Sequence, residues 1–307
     1  MRDNPLLGIM LMLGFCIVAP LGDAVAKMLS GSVGIVQLVL VRFTVQVFLL
    51  APFIWVTGRA WRMPAHSWHL VVLRTVLHVL GIGMMVSALA HLELADAVAI
   101  AFVMPFIMLF LGKLFLKEEV GARRILASIV GFGGTLLVIQ PAFEDVGYWA
   151  LLPVGVAINF AFFMLITRRI AKDVDPISMQ AVSGGIAMLI LVPIVIFGSF
   201  QTNVVGVDLG WRDLGAFSWG LLVLLGIFGT VAHLLMTWSL RYAPSATLAP
   251  MQYLEIPFAT AFGFLLFGDF PDDMALLGIA MTIASGLYIL VREEKLRRIQ
   301  AIETPAE

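Results

Sequence analysis

Charge is scarce in this chain of 307 residues: 13% are Asp, Glu, Lys or Arg, and the formal net charge is −1. That balance offers no electrostatic footprint for nucleic acid. Cysteine is scarcer still. The single Cys16 excludes both a disulfide framework and a cysteine metal site. Of the five histidines, His66 and His69 can share a helix face near a membrane surface, where they read as solvated and not as metal ligands. No His-Glu-x-x-His or Gly-x-Ser-x-Gly motif occurs, which argues against an enzyme. Gly184-Gly185, Gly81-x-Gly83 and Gly226-x-x-Gly229 lie inside apolar runs with no P-loop lysine after them, so they read as close helix contacts and not as phosphate loops. No polar stretch is long enough for a second, soluble domain.

What the chain has in excess is apolar surface. With 61% hydrophobic residues and a mean hydropathy of +1.02, it belongs in a bilayer. A helix needs roughly 20 apolar residues to cross about 30 Å of hydrocarbon. Such runs are found at 6–28, 35–56, 70–90, 95–116, 125–139, 148–170, 177–197, 217–240, 245–267 and 275–291, the fifth and tenth being short. The predicted fold is therefore all-α, with ten transmembrane helices. The first run, with Arg2 before it and Ala24-Val25-Ala26 near its end, loosely imitates a cleavable leader, but its length and Asp23 beside the supposed cleavage site favour a retained span. Placing the N-terminus in the cytoplasm puts Arg59, Arg62, Lys113, Lys117, Arg123, Arg124, Arg168, Arg169, Lys172, Arg241 and the basic residues after 291 on the inner side, so both termini are expected there.

An internal repeat organises these spans. Residues 95–138 can be laid on 245–289, with Pro105 on Pro257, Glu118 on Asp269, and Ala127 and Gly134 on Gly278 and Ser285. Five spans separate the copies, so the second copy is inverted relative to the first. Two five-helix halves follow, 1–145 and 146–298, with 299–307 expected as a disordered cytoplasmic tail. A binding site is expected at mid-depth between the halves.

Pro105, Glu118 and Gly131, echoed by Tyr253, Pro257, the Gly268-Asp269 turn, Gly278 and Gly286-Leu287-Tyr288, resemble the EamA family of the drug/metabolite transporter superfamily, over nearly the whole chain. The resemblance implies an inner-membrane secondary transporter. Its central cavity would be walled by the first, third, fourth, sixth, eighth and ninth helices. The resemblance also implies alternating access for a small organic metabolite, outward, with uptake of a metabolite such as riboflavin or S-adenosylmethionine as the alternative; the residues themselves, with Glu255 opposed by His233, His78 and Arg74 among Met and Phe, point to a zwitterionic or amphipathic one. Asp269 stands where that family more often has Glu. An intramembrane enzyme and a receptor without flux are the competing classes. No cofactor is implied. The partners are lipid, a small-molecule substrate and, as a candidate coupling ion, the proton, in a monomer or a homodimer.

Residues that can carry such chemistry are the polar ones within spans, because lipid offers them no partner. In the ninth run Glu255, Gln252 and Tyr253 sit between Pro250 and Pro257, which with Pro105 are candidate helix kinks. Glu255 either meets a cationic group or a proton, or is permanently paired with a basic residue. His233, Thr237 and Trp238 lie on the eighth helix, where His233 either takes part in a proton step or links two helices. His78 and Met85 on the third helix, Phe102 on the fourth, and Asn159 and Phe163 on the sixth complete the candidate substrate wall. Asp23, Lys27, Arg42, Gln46 and Arg74 are read as a gate or ion-pair network. Within it Asp23 is a candidate partner for Arg42 or, four residues away, for Lys27. Arg74 is near enough to a helix end to snorkel.

Overall fold

A computed structural model describes residues 4–59, 63–115, 121–198, 203–204, 207–208 and 211–303. Arg62, Lys117, Glu118 and residues 304–307 lie outside these, as do the side chains of Pro105 and Pro250. The helices are α1 (Pro5–Leu29), α2 (Ile35–Thr57), α3 (Trp68–Leu89), α4 (Leu94–Ala101), α5 (Met104–Phe115), α6 (Ala122–Val146), α7 (Leu152–Ile170), α8 (Pro176–Gly198), α9 (Ala216–Tyr242), α10 (Ser245–Leu248), α11 (Glu255–Phe267) and α12 (Asp273–Glu303). A two-residue ribbon, Asn203–Val204 against Val207–Asp208, lies between α8 and α9. Seven segments are long and apolar enough to cross a membrane by themselves, and Ile125–Leu137, Met251–Phe267 and Asp273–Tyr288 are shorter apolar stretches. Ten spans result.

Two spans are broken at mid-depth. In the fourth, the N–H groups of Phe102 and Val103 turn to Ala99 and Ile100, three residues back, before α5 begins. Proline at 105 has no N–H with which to carry the helix across this point. In the ninth, a 3-10 segment Ala249–Leu254 joins α10 to α11, and Glu255 is the first residue of α11. Pro257 therefore falls in the first turn, where a missing N–H costs nothing. The last helix continues to Glu303, past the start of the expected tail.

Packing follows the inverted repeat. The first span (α1) packs on the eighth (α9) as the third (α3) packs on the sixth (α7); the second pairs with the seventh (α2 with α8) and the fifth with the tenth (α6 with α12). Each pairing is what a two-fold axis between the halves requires. Contact is close where α6 meets α12: a Cβ added to Gly134 would lie 2.5 Å from the Gly278 carbonyl oxygen, and Ser285 hydroxyl donates to the Ala127 carbonyl. These two contacts involve the four small residues matched in the repeat, each pair being the other's image. Outside, Phe48, Trp55, Leu189, Phe197 and Leu265 are exposed, while Gln37, Gln46, Arg74 and Gln180 are buried. An apolar exterior around a polar interior is what a lipid solvent selects.

Arg74 does not snorkel. It is fully buried, donating from Nε to Thr167 Oγ1 at 2.8 Å, from Nη1 to Ser183 Oγ at 3.1 Å and from Nη2 to Gln180 Oε1 at 3.1 Å. Its guanidinium lies 4.4 Å from the centre of the Phe163 ring. Gln46 does not join Arg42; it turns the other way, donating to the Gln180 carbonyl at 2.6 Å. Neutral dipoles and one aromatic face thus hold the Arg74 charge and tie α3 to α7 and α8.

Two stability outcomes follow from this packing. Interhelical hydrogen bonds in membranes are worth roughly 0.6–1.7 kcal/mol each, so Arg74→Ala, which removes a donor to three acceptors, is expected to cost about 2–5 kcal/mol of stability in detergent denaturation. A parent-like unfolding curve would remove Arg74 from the structural frame. Gly134→Val forces α6 off α12 and is expected to cost about 1–3 kcal/mol by overpacking, read as a lowered thermal midpoint.

Candidate functional site

A cavity of about 120 Å³ lies between the halves, bordered by all spans from the first to the fourth and by the sixth, eighth and ninth. It extends from His78 and His233 at mid-depth toward the end of the bundle that holds Asp23, Ala26, Leu38 and Val86. The second span, supplying Leu38 and Arg42, is an addition to the walls expected from sequence.

Three ionisable side chains of opposite sign meet here: Asp23 from α1, Arg42 from α2 and Glu255 from the start of α11. Helix geometry explains their reach. Arg42 extends over α9 where Gly229 has no side chain, and any Cβ there would collide with the guanidinium. Glu255 is brought to the cavity by the break in the ninth span, and it occupies the N-terminal turn of a half-helix, whose dipole favours negative charge. Among the described residues, none of the three makes a hydrogen bond or a close ion pair, although Asp23 and Arg42 interact electrostatically. Glu255 is 9% exposed. The expected local pair Asp23–Lys27 does not form, because Lys27 reaches Asp269 at 2.7 Å and lies over the Phe267 ring. That ion pair ties the first span to the turn after the ninth, and Arg59–Asp175 at 2.5 Å ties the halves at the opposite end of the bundle.

The floor of the cavity is a pair of histidines. His78 and His233 face each other with Nε2 atoms 2.9 Å apart, and Phe15, Phe43, Phe160 and Phe163 pack around them. Both rings were candidates singly; their pairing was not foreseen. A signal for it is present in the sequence: Thr75-Val76-Leu77-His78-Val79-Leu80 recurs as Thr230-Val231-Ala232-His233-Leu234-Leu235. Equivalent positions on inverted helices meet at the two-fold axis.

Of the other candidates, Met85 and Phe102 border the cavity. Gln252 does not; its Nε2 lies 3.1 Å from Met164 Sδ. The 3-10 segment ends between Gln252 and Glu255, so the rotation per residue changes there and the shared face expected from an unbroken helix is lost. Tyr253 turns to α6, its ring lying where a Cβ on Gly131 would go. Thr237 hydroxyl donates to its own helix at the His233 carbonyl. Trp238 packs with Leu50 and Ile54. Asn159 donates to the Leu77 carbonyl at 2.7 Å, an interhelical link. Phe163 lies beneath the histidines against Arg74.

Comparison with known proteins agrees with this architecture. A riboflavin transporter of Vibrio cholerae is 25% identical over 97% of both chains. An S-adenosylmethionine uptake transporter of Rickettsia bellii is 25% identical over 89% of both. A solved crystal structure superposes with a TM-score of 0.69 at 15% identity, covering 96% of this chain and 99% of that one, a likeness of fold. The EamA-like transporter family matches twice, over residues 6–140 and 147–291. The chain is a multi-pass membrane protein and belongs to the EamA-like transporter family.

Proposed function

We propose that this protein carries a small zwitterionic metabolite across the bacterial inner membrane by alternating access. The observation that supports the reading is a cavity between inverted halves in which Arg42 and Glu255 stand without a protein hydrogen bond or ion pair among the described residues. A charge left unsatisfied in a low-dielectric interior is expensive unless water or a ligand completes it. A molecule bearing a carboxylate and an ammonium or sulfonium group completes both, with its anion toward Arg42 and its cation toward Glu255. Met85, Phe102 and Phe160 then cover its apolar part.

The two halves correspond to 1–145 and 146–298. With both termini cytoplasmic, as the distribution of Lys and Arg favours, the cavity lies in the outer half of the membrane and the Lys27–Asp269 pair at its outer margin. S-adenosylmethionine has the charges this cavity would accept, and the name of the Rickettsia relatives favours uptake over export. Riboflavin, flat and uncharged, would use the aromatic wall and leave Arg42 and Glu255 to water. The sequence contains no recognisable nucleotide-binding motif, so a gradient of proton, ion or substrate supplies the driving force.

A charge-assisted hydrogen bond contributes about 1.5–3 kcal/mol, and tenfold in affinity corresponds to about 1.4 kcal/mol. Glu255→Gln and Arg42→Gln are therefore each expected to weaken S-adenosylmethionine uptake into proteoliposomes tenfold or more at limiting substrate. Trp238→Phe, away from the cavity, is expected to retain uptake. Thermal-shift screening against zwitterionic metabolites provides the parallel measurement, since a ligand preferring the folded state raises its stability. Parent-like uptake by both charge variants would end the zwitterion assignment.

A further inference from the structure

The histidine pair has chemistry that substrate binding does not use. A neutral imidazole carries one N–H. In the Nε2–Nε2 contact of 2.9 Å, the donor ring therefore has its hydrogen on Nε2 and a bare Nδ1, while the acceptor ring has its hydrogen on Nδ1. Neither Nδ1 has a partner among the described residues, and both are buried. The pair thus presents one bare acceptor and one available donor, on rings from opposite halves that both border the cavity.

We propose that His78 and His233 form a two-ring proton relay between the repeats. When cavity water reaches the otherwise buried Nδ1 atoms, a hydronium gives its proton to the bare Nδ1 of the donor ring, the shared hydrogen crosses to the Nε2 of the other ring, and that ring's Nδ1–H passes to a second water. Each ring makes one N–H bond and breaks one, no electrons are transferred, and the pair ends neutral with its hydrogen bond reversed. The matching Thr-Val-x-His-x-Leu segments make the two polarities near-equivalent by symmetry. One passage leaves the pair poised in the opposite polarity, so a second proton moves in the same direction only after both tautomers reset; one proton per full carrier cycle, with the reset on the return, rests on the carrier reading.

Charged groups from several helices surround the pair. Arg42 from α2 and Arg74 from α3 interact electrostatically with both rings. Glu255 from the ninth span and Asp23 from α1 border the same cavity. The remaining sides are aromatic: Phe15, Phe43, Phe160 and Phe163.

The test needs no substrate. Full-length protein with nitrogen-15 histidines, in lipid nanodiscs, is expected to show scalar coupling between two Nε2 nitrogens through the shared hydrogen. Each ring is expected to exchange between its two tautomers, and both signatures should vanish in His78→Gln and His233→Gln, whose amides form hydrogen bonds without relaying protons. Absence of coupling, or a single fixed tautomer on each ring, overturns the relay. In proteoliposomes containing a trapped pH dye, S-adenosylmethionine flux is expected to move protons, with that movement reduced at least tenfold in either variant. Probe flux without protons, or proton movement unchanged in both variants, overturns it as well. No flux of this probe or of riboflavin would count against the carrier reading instead, while the ligand-free spectra still decide the pair.

Discussion

Everything in this bundle follows from the cost of leaving a charge or a backbone dipole unanswered where there is no water. Helices answer the backbone internally, and where they break, at Phe102–Val103 and Ala249–Leu254, the breaks lie within the protein. Side-chain charge is answered in two different ways. Arg74 is saturated by three neutral oxygens and an aromatic face, and contributes to architecture. Arg42, Asp23 and Glu255 make no hydrogen bond or close ion pair among the described residues, although Asp23 and Arg42 interact electrostatically, and they open on a common cavity. The contrast separates a frame residue from cavity-lining residues more sharply than their chemical type, since Arg74 and Arg42 carry the same guanidinium.

Ten spans and an inverted repeat were legible because both depend on properties written linearly along the chain: run length, small residues at fixed spacing and the odd number of spans between copies. Lipid makes these signals strong, since a span has to be apolar along its whole length. The helix pairings then follow from symmetry, and Gly134–Gly278 and Ala127–Ser285 were recoverable from the aligned repeat.

Side-chain direction was less legible, for reasons that differ by residue. Gln252 and Glu255 share a face only on an unbroken α-helix, and a 3-10 segment ends between them. Arg74 is close enough to a helix end to snorkel, and nothing local indicates that Thr167, Ser183 and Gln180 from two other helices converge on it. Lys27 has an acid four residues away yet selects Asp269 from the distant turn. In the last two cases the deciding partner is remote in sequence, where periodicity gives no information. The histidine pair is different: its repeated hexapeptide was available, but lay outside the copies aligned from the fourth and ninth spans.

The same hexapeptides reveal an asymmetry at the centre. Four residues before His78 stands Arg74, and four residues before His233 stands Gly229. The space that the glycine leaves on α9 is occupied by Arg42 from α2. Both guanidiniums that flank the histidines therefore come from the first half, but from different helices and into different environments, one saturated and one facing the cavity. Perfect symmetry would have placed a second arginine at 229, in the space that the Arg42 guanidinium occupies. With arginine in one copy and glycine in the other, the helix pairings stay two-fold while Arg42, from a neighbouring helix, borders the cavity. For the zwitterion proposed above, this asymmetry leaves one guanidinium for its one anionic group, where a second available cation would compete for it.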